Sequence, residues 1–208
     1  TIQREWELYQ KNIDVQTKYY NKSGAYKLQQ PTVDGKGVGD KNDLSTLFFE
    51  RVFNLAREDG YVSQVLPGVI FSSSAGKDLR IRLLNQATVT SLIGFENQGI
   101  FENLHRQYKF GIVTFKNSGK TESLRGIFEQ NDVEILQNFK HMSIGIPRQI
   151  LLDYSPEARI FPAITEEKEV DVLSKPFEHP SLGSDLDNHW SVDPLKEQLN
   201  SYRDKDRF

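Results

Sequence analysis

The sequence predicts an α/β protein with a sheet of mixed parallel and antiparallel strands and an irregular tail. Two segments rich in β-branched and aromatic residues, 89–95 and 108–115, lie on either side of a polar loop and are the clearest strands. Between residues 43 and 57, apolar side chains recur every three or four positions, which is typical of a buried helix. A short apolar segment at 61–66 predicts a further buried strand. Helices and strands that alternate in this way are typical of the α/β class.

The N-terminal part of the chain predicts helix followed by linker. Residues 1–20 mix apolar and charged side chains, as expected for one or two helices, whereas residues 21–42 are rich in glycine and polar residues. The alternate glycines Gly35, Gly37 and Gly39 suggest a phosphate cradle, but such a cradle follows a strand and opens a helix. Because no strand-like segment precedes them, a flexible loop is the favoured interpretation.

The helix at 43–57 is expected to begin at a cap formed by Asn42 or Asp43. Its predicted inward face comprises Leu44, Leu47, Phe48, Val52, Leu55 and Ala56, widened by Phe49 and Phe53. A second helix at 77–86 is expected to place its leucines inward and both Arg80 and Arg82 outward.

Shorter elements are predicted beyond residue 120. The pattern favours a strand at 124–128, a helix at 132–139 and a strand at 142–146, with a helical turn opened by Pro147. Thr165 begins a pattern similar to a capping box, ahead of a helix that ends near Ser174, although Lys168 stands where Glu or Gln is expected.

Composition excludes several classes of protein. The chain of 208 residues is 37% hydrophobic and 11% aromatic, which is enough for a core and argues against wholesale disorder. No apolar run approaches the roughly 20 residues that a membrane-spanning helix needs, so we expect no membrane partner. The absence of cysteine excludes disulfides and thiolate metal sites and fits a cytoplasmic location. Because the chain begins with Thr1, we expect it to be a piece of a longer protein.

Charge is unevenly distributed along the chain. Residues 165–208 carry six Lys or Arg against eleven Asp or Glu, a net charge of −5, whereas residues 1–164 carry a net charge of +2. The overall charge of −3 gives no general signature of nucleic-acid binding. A mildly basic body with an acidic tail is nevertheless compatible with DNA binding by the body.

The segment 91–101, followed by 107–115, carries a resemblance to a known family. Together with Asp43–Arg51 and Gly60–Pro67 upstream, it resembles the C-terminal half of a DNA N6-adenine methyltransferase catalytic domain. More narrowly, it is similar to the large type IIG restriction–modification enzymes and their phage-exclusion relatives. The resemblance implies the C-terminal part of a Rossmann-like S-adenosylmethionine-dependent methyltransferase sheet, with strand 61–66 parallel and the final pair antiparallel at the sheet edge.

This resemblance divides the chain into four parts. They are an N-terminal helix and Gly-rich linker (1–42), the C-terminal half of the catalytic domain (43–120), a bridging α/β extension (121–180) and a polar tail (181–208). In the family, the region after the catalytic half connects it to a DNA-specificity domain.

The methyl-donor half of such an enzyme is missing from the sequence. The chain contains neither Asn-Pro-Pro nor an Asp/Phe-x-Gly-x-Gly turn after a strand, and both precede this region in the family. The resemblance therefore implies that S-adenosylmethionine binds to the intact protein and that this fragment alone holds no cofactor and transfers no methyl group. We expect the uncovered sheet edge to meet the missing N-terminal half or, in isolation, to self-associate or rearrange.

The resemblance assigns substrate-binding residues to the loop between the two clearest strands. In the family this loop carries an aromatic side chain that stacks on the flipped adenine, and the matching residue is Phe101, with Glu102 in place of the usual proline. A core phenylalanine that plugs the loop is the alternative. Asn97 is expected to bind a base or to shape the turn. His105 and Arg106 are expected to touch DNA phosphates or to be simply solvated.

Two other kinds of site are weakly suggested. Asp153 with Glu166-Glu167-Lys168 has the loose spacing of a metal-dependent nuclease, but the surrounding charges favour the start of a helix. The four histidines lack the pairing of a zinc site, so no metal is expected.

The sequence thus predicts a fragment of a site-specific DNA adenine-N6 methyltransferase, from a restriction–modification or phage-defence system, that acts on double-stranded DNA. A non-catalytic DNA-binding or interaction module on the same sheet is the alternative. Methylation of RNA or protein is a third interpretation, because fold does not fix the substrate.

Overall fold

The computed structural model describes residues 1–39 and 43–180. The proposed cap at Asn42 and the polar tail 181–208 lie outside the described residues. The helices are α1 (Ile2–Lys22), α2 (Leu44–Leu55), α3 (Val69–Ser72), α4 (Lys77–Gln86), α5 (Ile135–Met142), α6 (Arg148–Asp153) and α7 (Glu167–Ser174). The strands are β1 (Thr32–Val33), β2 (Lys36–Gly37), β3 (Tyr61–Pro67), β4 (Thr88–Glu96), β5 (Lys109–Lys116), β6 (Ser123–Gln130) and β7 (Ile144–Pro147).

A five-stranded sheet in the order β3-β5-β4-β6-β7 organises the fold. Strand β5 is antiparallel to both β3 and β4, β4 pairs in parallel with β6, and β6 pairs antiparallel with β7. Strands β3, β4 and β6 therefore run in the same direction and end at the same edge of the sheet. The predicted α/β class with a sheet of mixed strand direction is confirmed.

The predicted strand directions and positions hold only in part. Strand β3 was expected to be parallel, and it runs in the same direction as β4 and β6, but its neighbour among the described strands is β5, to which it is antiparallel. The β4–β5 pair is antiparallel as predicted, yet it lies inside the sheet rather than at its edge. The physical reason is that β5 returns into the space between β3 and β4, so these two parallel strands never touch.

The core lies on both faces of this sheet. The larger cluster packs the helices α2, α4 and α6 and the segment 161–164 against one face. The smaller cluster, which comprises Ile93, Phe95, Phe110 and Ile127 of the strands and Ile135 of α5, lies on the other face. The sheet includes strands on both sides of residue 120, so the boundary predicted there falls between β5 and β6, and the division into domains stays a prediction.

The buried face of α2 differs from the prediction. Asp43 caps this helix, as expected, by accepting a hydrogen bond from Ser45 N–H at 2.7 Å. Its buried residues are Leu47, Phe49, Glu50 and Phe53, whereas Phe48 is 60% exposed and Leu44 and Leu55 are also exposed. The helix carries two apolar stripes, and the sequence pattern alone does not tell which stripe meets the sheet.

The buried Glu50 fastens the chain that leaves α1. Its carboxylate accepts hydrogen bonds from the N–H groups of Lys27, at 2.6 Å, and Leu28, at 3.2 Å, and from the side-chain amide of Gln29, at 2.7 Å. These N–H donors replace the hydration that the buried carboxylate has lost, and Arg82 lies close enough to interact with it electrostatically. Segment 27–29 is thereby held on α2.

Arg80 was predicted to face outward and is instead fully buried. Its guanidinium donates to four backbone carbonyls, those of Ile70, Ser73, Ala158 and Arg159. Burial lowers the pKa of Arg80 to about 10, so the group remains charged at neutral pH. The fork of the guanidinium suits this arrangement because its five N–H donors can serve several carbonyls at once.

Helix α1 contributes nothing to the core. No residue of α1 is buried, although it carries Trp6 and Tyr9, whose rings stack on each other. The glycines of the linker lie in and beside a small β1–β2 hairpin, with Asp34 and Gly35 at positive φ in its turn. This turn joins two strands rather than opening a helix, so it does not have the geometry of a phosphate cradle. Of the helices in the described parts of the chain, none is long and apolar enough to cross a membrane.

The predicted capping box of α7 is shifted by one residue. Glu166 rather than Thr165 is the N-cap, and Glu169 supplies the partner carboxylate. The pKa of Glu169 is lowered because its carboxylate accepts hydrogen bonds from the backbone N–H groups of Thr165 and Glu166. The reciprocal bonds of this motif therefore form with glutamate at both positions.

Candidate functional site

The loop at residues 97–108, called here the 97–108 loop, joins β4 to β5 at the edge where β3, β4 and β6 end. In open α/β sheets, ligands bind outside the carboxyl ends of the parallel strands. The loop that carries all four predicted substrate-binding residues is therefore in a favourable position for a site.

Asn97 lies beneath this loop and is fully buried. Its amide nitrogen donates to the carbonyls of Phe101 at 2.8 Å and Leu104 at 2.9 Å, with a longer contact to that of His105 at 3.4 Å. Its amide oxygen accepts from the N–H of Phe101 at 2.6 Å. Both ends of the side chain are used within the loop, so the geometry favours the turn-shaping role of Asn97.

A tight turn opens the loop. The N–H of Ile100 donates to the carbonyl of Asn97 at 2.6 Å, and Gln98 and Gly99 have φ values of 34° and 106°. The value at Gly99 lies in a region that side-chain-bearing residues rarely adopt, which explains glycine there. The N–H of Gln98 then bonds the carbonyl of Arg106 at 2.9 Å and closes the base of the loop.

Phe101 stands partly in solvent above this base. It is 42% exposed, and its ring meets that of Phe110 edge to face, with centroids 5.0 Å apart. Phe110 in turn stacks on Phe95 at 5.1 Å. Because it is 42% exposed and is held by an aromatic contact with Phe110, Phe101 is a supported surface aromatic rather than a core plug.

His105 and Arg106 lie on the far side of the same loop and are exposed. With Gln98, Leu104 and Gln107 they line an open shelf of about 630 Å³. The imidazole Nδ1 of His105 accepts a hydrogen bond from the N–H of Gln107 at 3.2 Å, which orients the ring. The structure thus brings Phe101, His105 and Arg106 onto one loop and places Asn97 under it.

The alternative nuclease site does not have the expected geometry. Asp153 ends α6, and Glu166-Glu167-Lys168 begins α7 rather than lying on a core strand. Within residues 1–39 and 43–180, no group of three or more His, Asp or Glu side chains is arranged to hold a metal ion.

Sequence reasoning missed a cavity of about 400 Å³ near the same edge of the sheet. The sequence contained one indication of this cavity, since Gly94 and Gly111 lie within two strongly predicted strands. A glycine within a strand often marks the close approach of another group.

Comparison with known families supports the predicted resemblance to restriction–modification methyltransferases. Residues 9–101, nearly half of the chain, match the model of the family described as Eco57I restriction-modification methylase. The matched stretch runs from α1 through β4 to Phe101. The predicted resemblance to restriction–modification methyltransferases is confirmed. A comparison with curated proteins gave no match.

Three solved structures are partly similar. The type I restriction enzyme EcoKI M protein is 14% identical, with 71% of this chain and 42% of that chain covered and a TM-score of 0.47. The type IIG restriction endonuclease BpuSI is 17% identical, with coverages of 72% and 16% and a TM-score of 0.38. A component of a type I restriction–modification system is 13% identical, with coverages of 85% and 40% and a TM-score of 0.42. The chain thus spans less than half the length of each, and at these TM-scores we draw no conclusion from them.

Proposed function

We propose that this chain is part of a DNA adenine-N6 methyltransferase of a restriction–modification or phage-defence system, and that it supplies one wall of the target-adenine pocket. The observation that carries the proposal is the half-exposed Phe101, held by Phe110 and by the anchored 97–108 loop. An adenine must leave the duplex before its amine can be methylated, and an aromatic face holds a flipped base by stacking. The family match over residues 9–101 supports the methyltransferase class.

His105 and Arg106 would contact the DNA backbone beside the flipped nucleotide. Both are exposed on the shelf that adjoins the base of the loop. Contacts of this kind position DNA without reading its sequence. Double-stranded DNA is therefore the partner that we propose for this edge of the sheet.

The methyl donor would be held elsewhere in the longer protein. The sequence has no Asn-Pro-Pro and no Gly-rich turn of the donor-binding kind, so its residues do not fit S-adenosylmethionine and we assign none of them to it. On the outer side of β3, no strand pairs within the described residues, and Tyr61 and Val65 are exposed there. We propose that the missing half of the sheet joins at this edge.

Expression of the longer protein in a host that lacks adenine methylation would test this function. N6-methyladenine at a repeated motif in the host DNA is the expected result. Phe101→Ala should lower methylation about tenfold or more, because loss of stacking on one base costs about 1–3 kcal/mol. Phe101→Trp should retain most of it, since the indole also stacks.

Val172→Ala is the matched control, because Val172 is an exposed apolar residue on α7, outside the loop and its shelf. It should leave methylation nearly unchanged. If Phe101→Ala and Val172→Ala behave alike, the stacking role is wrong. If the unmodified protein binds DNA but never methylates it, the non-catalytic DNA-binding module becomes the better interpretation.

A further inference from the structure

A second concave site lies on the opposite face of the sheet from Phe101. The cavity has a volume of about 400 Å³, and its walls include Phe71, Leu92, Phe128 and Phe161. These residues belong to the larger core, whereas Phe101 contacts Phe110 of the smaller one. The two features therefore share one edge of the sheet, and Phe110, which supports Phe101, also contributes to the lining of the cavity together with Phe95.

A pair of glycines explains why this space exists. Gly94 of β4 lies directly opposite Gly111 of β5, so a strip of the sheet carries no side chains. A Cβ atom at Gly94 would lie 2.8 Å from Cδ1 of Phe128, and one at Gly111 would lie 2.9 Å from Cε2 of Phe71. The two phenylalanine rings rest on the bare strip and form the aromatic walls.

A break in the β4–β6 pairing shapes the same wall. The register of this pair shifts between Ile93 and Phe95, and Glu129 adopts a φ of 58°. Such a conformation is uncommon for a side-chain-bearing residue and is retained when the surroundings require it. The irregularity lies beside Phe128, so it helps to set the position of that ring.

The mouth of the cavity is polar and carries a net negative charge. Lys109 lies between Glu96, at 3.5 Å, and Glu129, at 3.4 Å, so two carboxylates face one ammonium. Gln107 and Tyr108 also contribute to the lining. This arrangement disfavours an anionic ligand, because the excess carboxylate charge would repel it.

We propose that this cavity binds an uncharged, predominantly apolar aromatic ring. A cavity of roughly 150 Å³ with apolar walls suffices for benzene, so this one has room for a larger ring. The phenylalanine walls offer face and edge contacts that favour another aromatic. Its place outside the carboxyl ends of β3, β4 and β6 is where α/β sheets hold ligands. The proposal does not depend on the methyltransferase function.

Titration of the protein with 5-fluoroindole, followed by fluorine NMR, tests this site. Saturable broadening or shifting of the probe resonance is expected. Ala163→Trp, which adds an indole at an exposed lining position, should weaken binding about tenfold or more. Ala163→Leu, a smaller plug that perturbs folding less, should weaken binding by an intermediate factor.

Val133→Trp is the matched control, because Val133 is exposed and does not line the cavity. It should leave probe binding unchanged. Adenosine monophosphate, added as the anionic aromatic, should bind more weakly than 5-fluoroindole. The site assignment is overturned if the probe does not bind, or if both tryptophan variants weaken it equally. Equal binding of adenosine monophosphate would overturn the ligand class.

Discussion

Arg80, in the middle of α4, donates a hydrogen bond from Nη2 to the carbonyl oxygen of Ala158, 2.7 Å away. The same guanidinium also donates to the carbonyls of Ile70 and Ser73, which precede α4 in the chain. A single side chain thus joins the segment after α6 to the turn before α4. The segment that it holds continues to Phe161, a wall of the apolar cavity.

Replacement of this arginine should be strongly destabilising. Arg80→Met removes the donors of four backbone carbonyls, and the two in buried hydrogen bonds, those of Ile70 and Ala158, each cost about 1–3 kcal/mol when left unsatisfied. We expect the free energy of unfolding to fall by about 2–4 kcal/mol, measured by urea denaturation. Arg82→Met, on the same helix, should cost about 1 kcal/mol or less, because its guanidinium makes one hydrogen bond to Asn54 and lies over the Phe53 ring. Equal losses of unfolding free energy in the two variants would contradict the role of Arg80 as the buried donor that joins these segments.

The anchoring of the 97–108 loop can be tested by Asn97→Asp. This change places a carboxylate against the carbonyls of Phe101 and Leu104 and removes both donors. Amide hydrogen exchange at Phe101 should accelerate about tenfold or more, whereas exchange at Val113 in the sheet should not change. Gln107→Glu makes the same chemical change at an exposed position and should leave Phe101 protected. Protection at Phe101 that survives Asn97→Asp would show that the acceptor oxygen, which aspartate retains, holds the loop without the two donors.

Glu50→Gln should loosen the connection between α1 and the sheet. The amide has one acceptor oxygen where the carboxylate had two, so it cannot serve Lys27, Leu28 and Gln29 together. We expect a loss of about 1–3 kcal/mol in the free energy of unfolding. Glu58→Gln, at an exposed position, should be nearly neutral. The same loss in both variants would indicate a general effect of charge.

Gly94→Ala should destabilise the protein by crowding rather than by backbone strain. The added methyl group would press on Phe128 at 2.8 Å, and overpacking of this kind costs about 1–3 kcal/mol. Gly37→Ala is the control, because its Cβ would meet nothing within 4 Å. Thermal unfolding compares the two, and a stable Gly94→Ala protein would show that Phe128 can move aside.

The Asp59–Lys116 ion pair should make a pH-dependent contribution to stability. Lys116 lies 2.6 Å from Asp59, and its hydrogen bond lowers the pKa of that carboxyl below the ordinary value. A carboxyl with a lowered folded-state pKa stabilises the fold at neutral pH, and this contribution is lost as pH falls through the folded pKa. Carbon NMR should find the Asp59 titration shifted to low pH, and Lys116→Met should move it back towards the ordinary value. An unshifted midpoint would contradict the prediction.

The elements themselves were largely predictable from the sequence. The strands at 89–95 and 108–115, the helix before them and the strand near 124–128 all exist, because strong periodic segments identify their own structure. The loop containing Phe101 could also be placed, since it lies between the two best strands. Its half-exposed ring and the support from Phe110 are consequences of packing that the local pattern does not contain.

The features that the sequence did not predict all depend on contacts between residues far apart in the chain. Arg80 was predicted to be solvated, because nothing local reveals that carbonyls 78 and 79 residues away converge on it. The burial of Glu50 has the same origin, since its donors come from a segment that precedes it by more than twenty residues. The place of the β4–β5 pair inside the sheet could not be predicted for the same reason, because the insertion of β5 between β3 and β4 is a property of topology.

Asn97 fixes the backbone path of the 97–108 loop without depending on the loop's side chains. All the groups that it bonds there are backbone atoms, those of Phe101, Leu104 and His105. Any residues that keep the same backbone path satisfy the anchor equally well. The side chains between positions 100 and 106 can thus be exchanged while the anchor of the loop is kept. New surface chemistry can be introduced there without redesign of the sheet below.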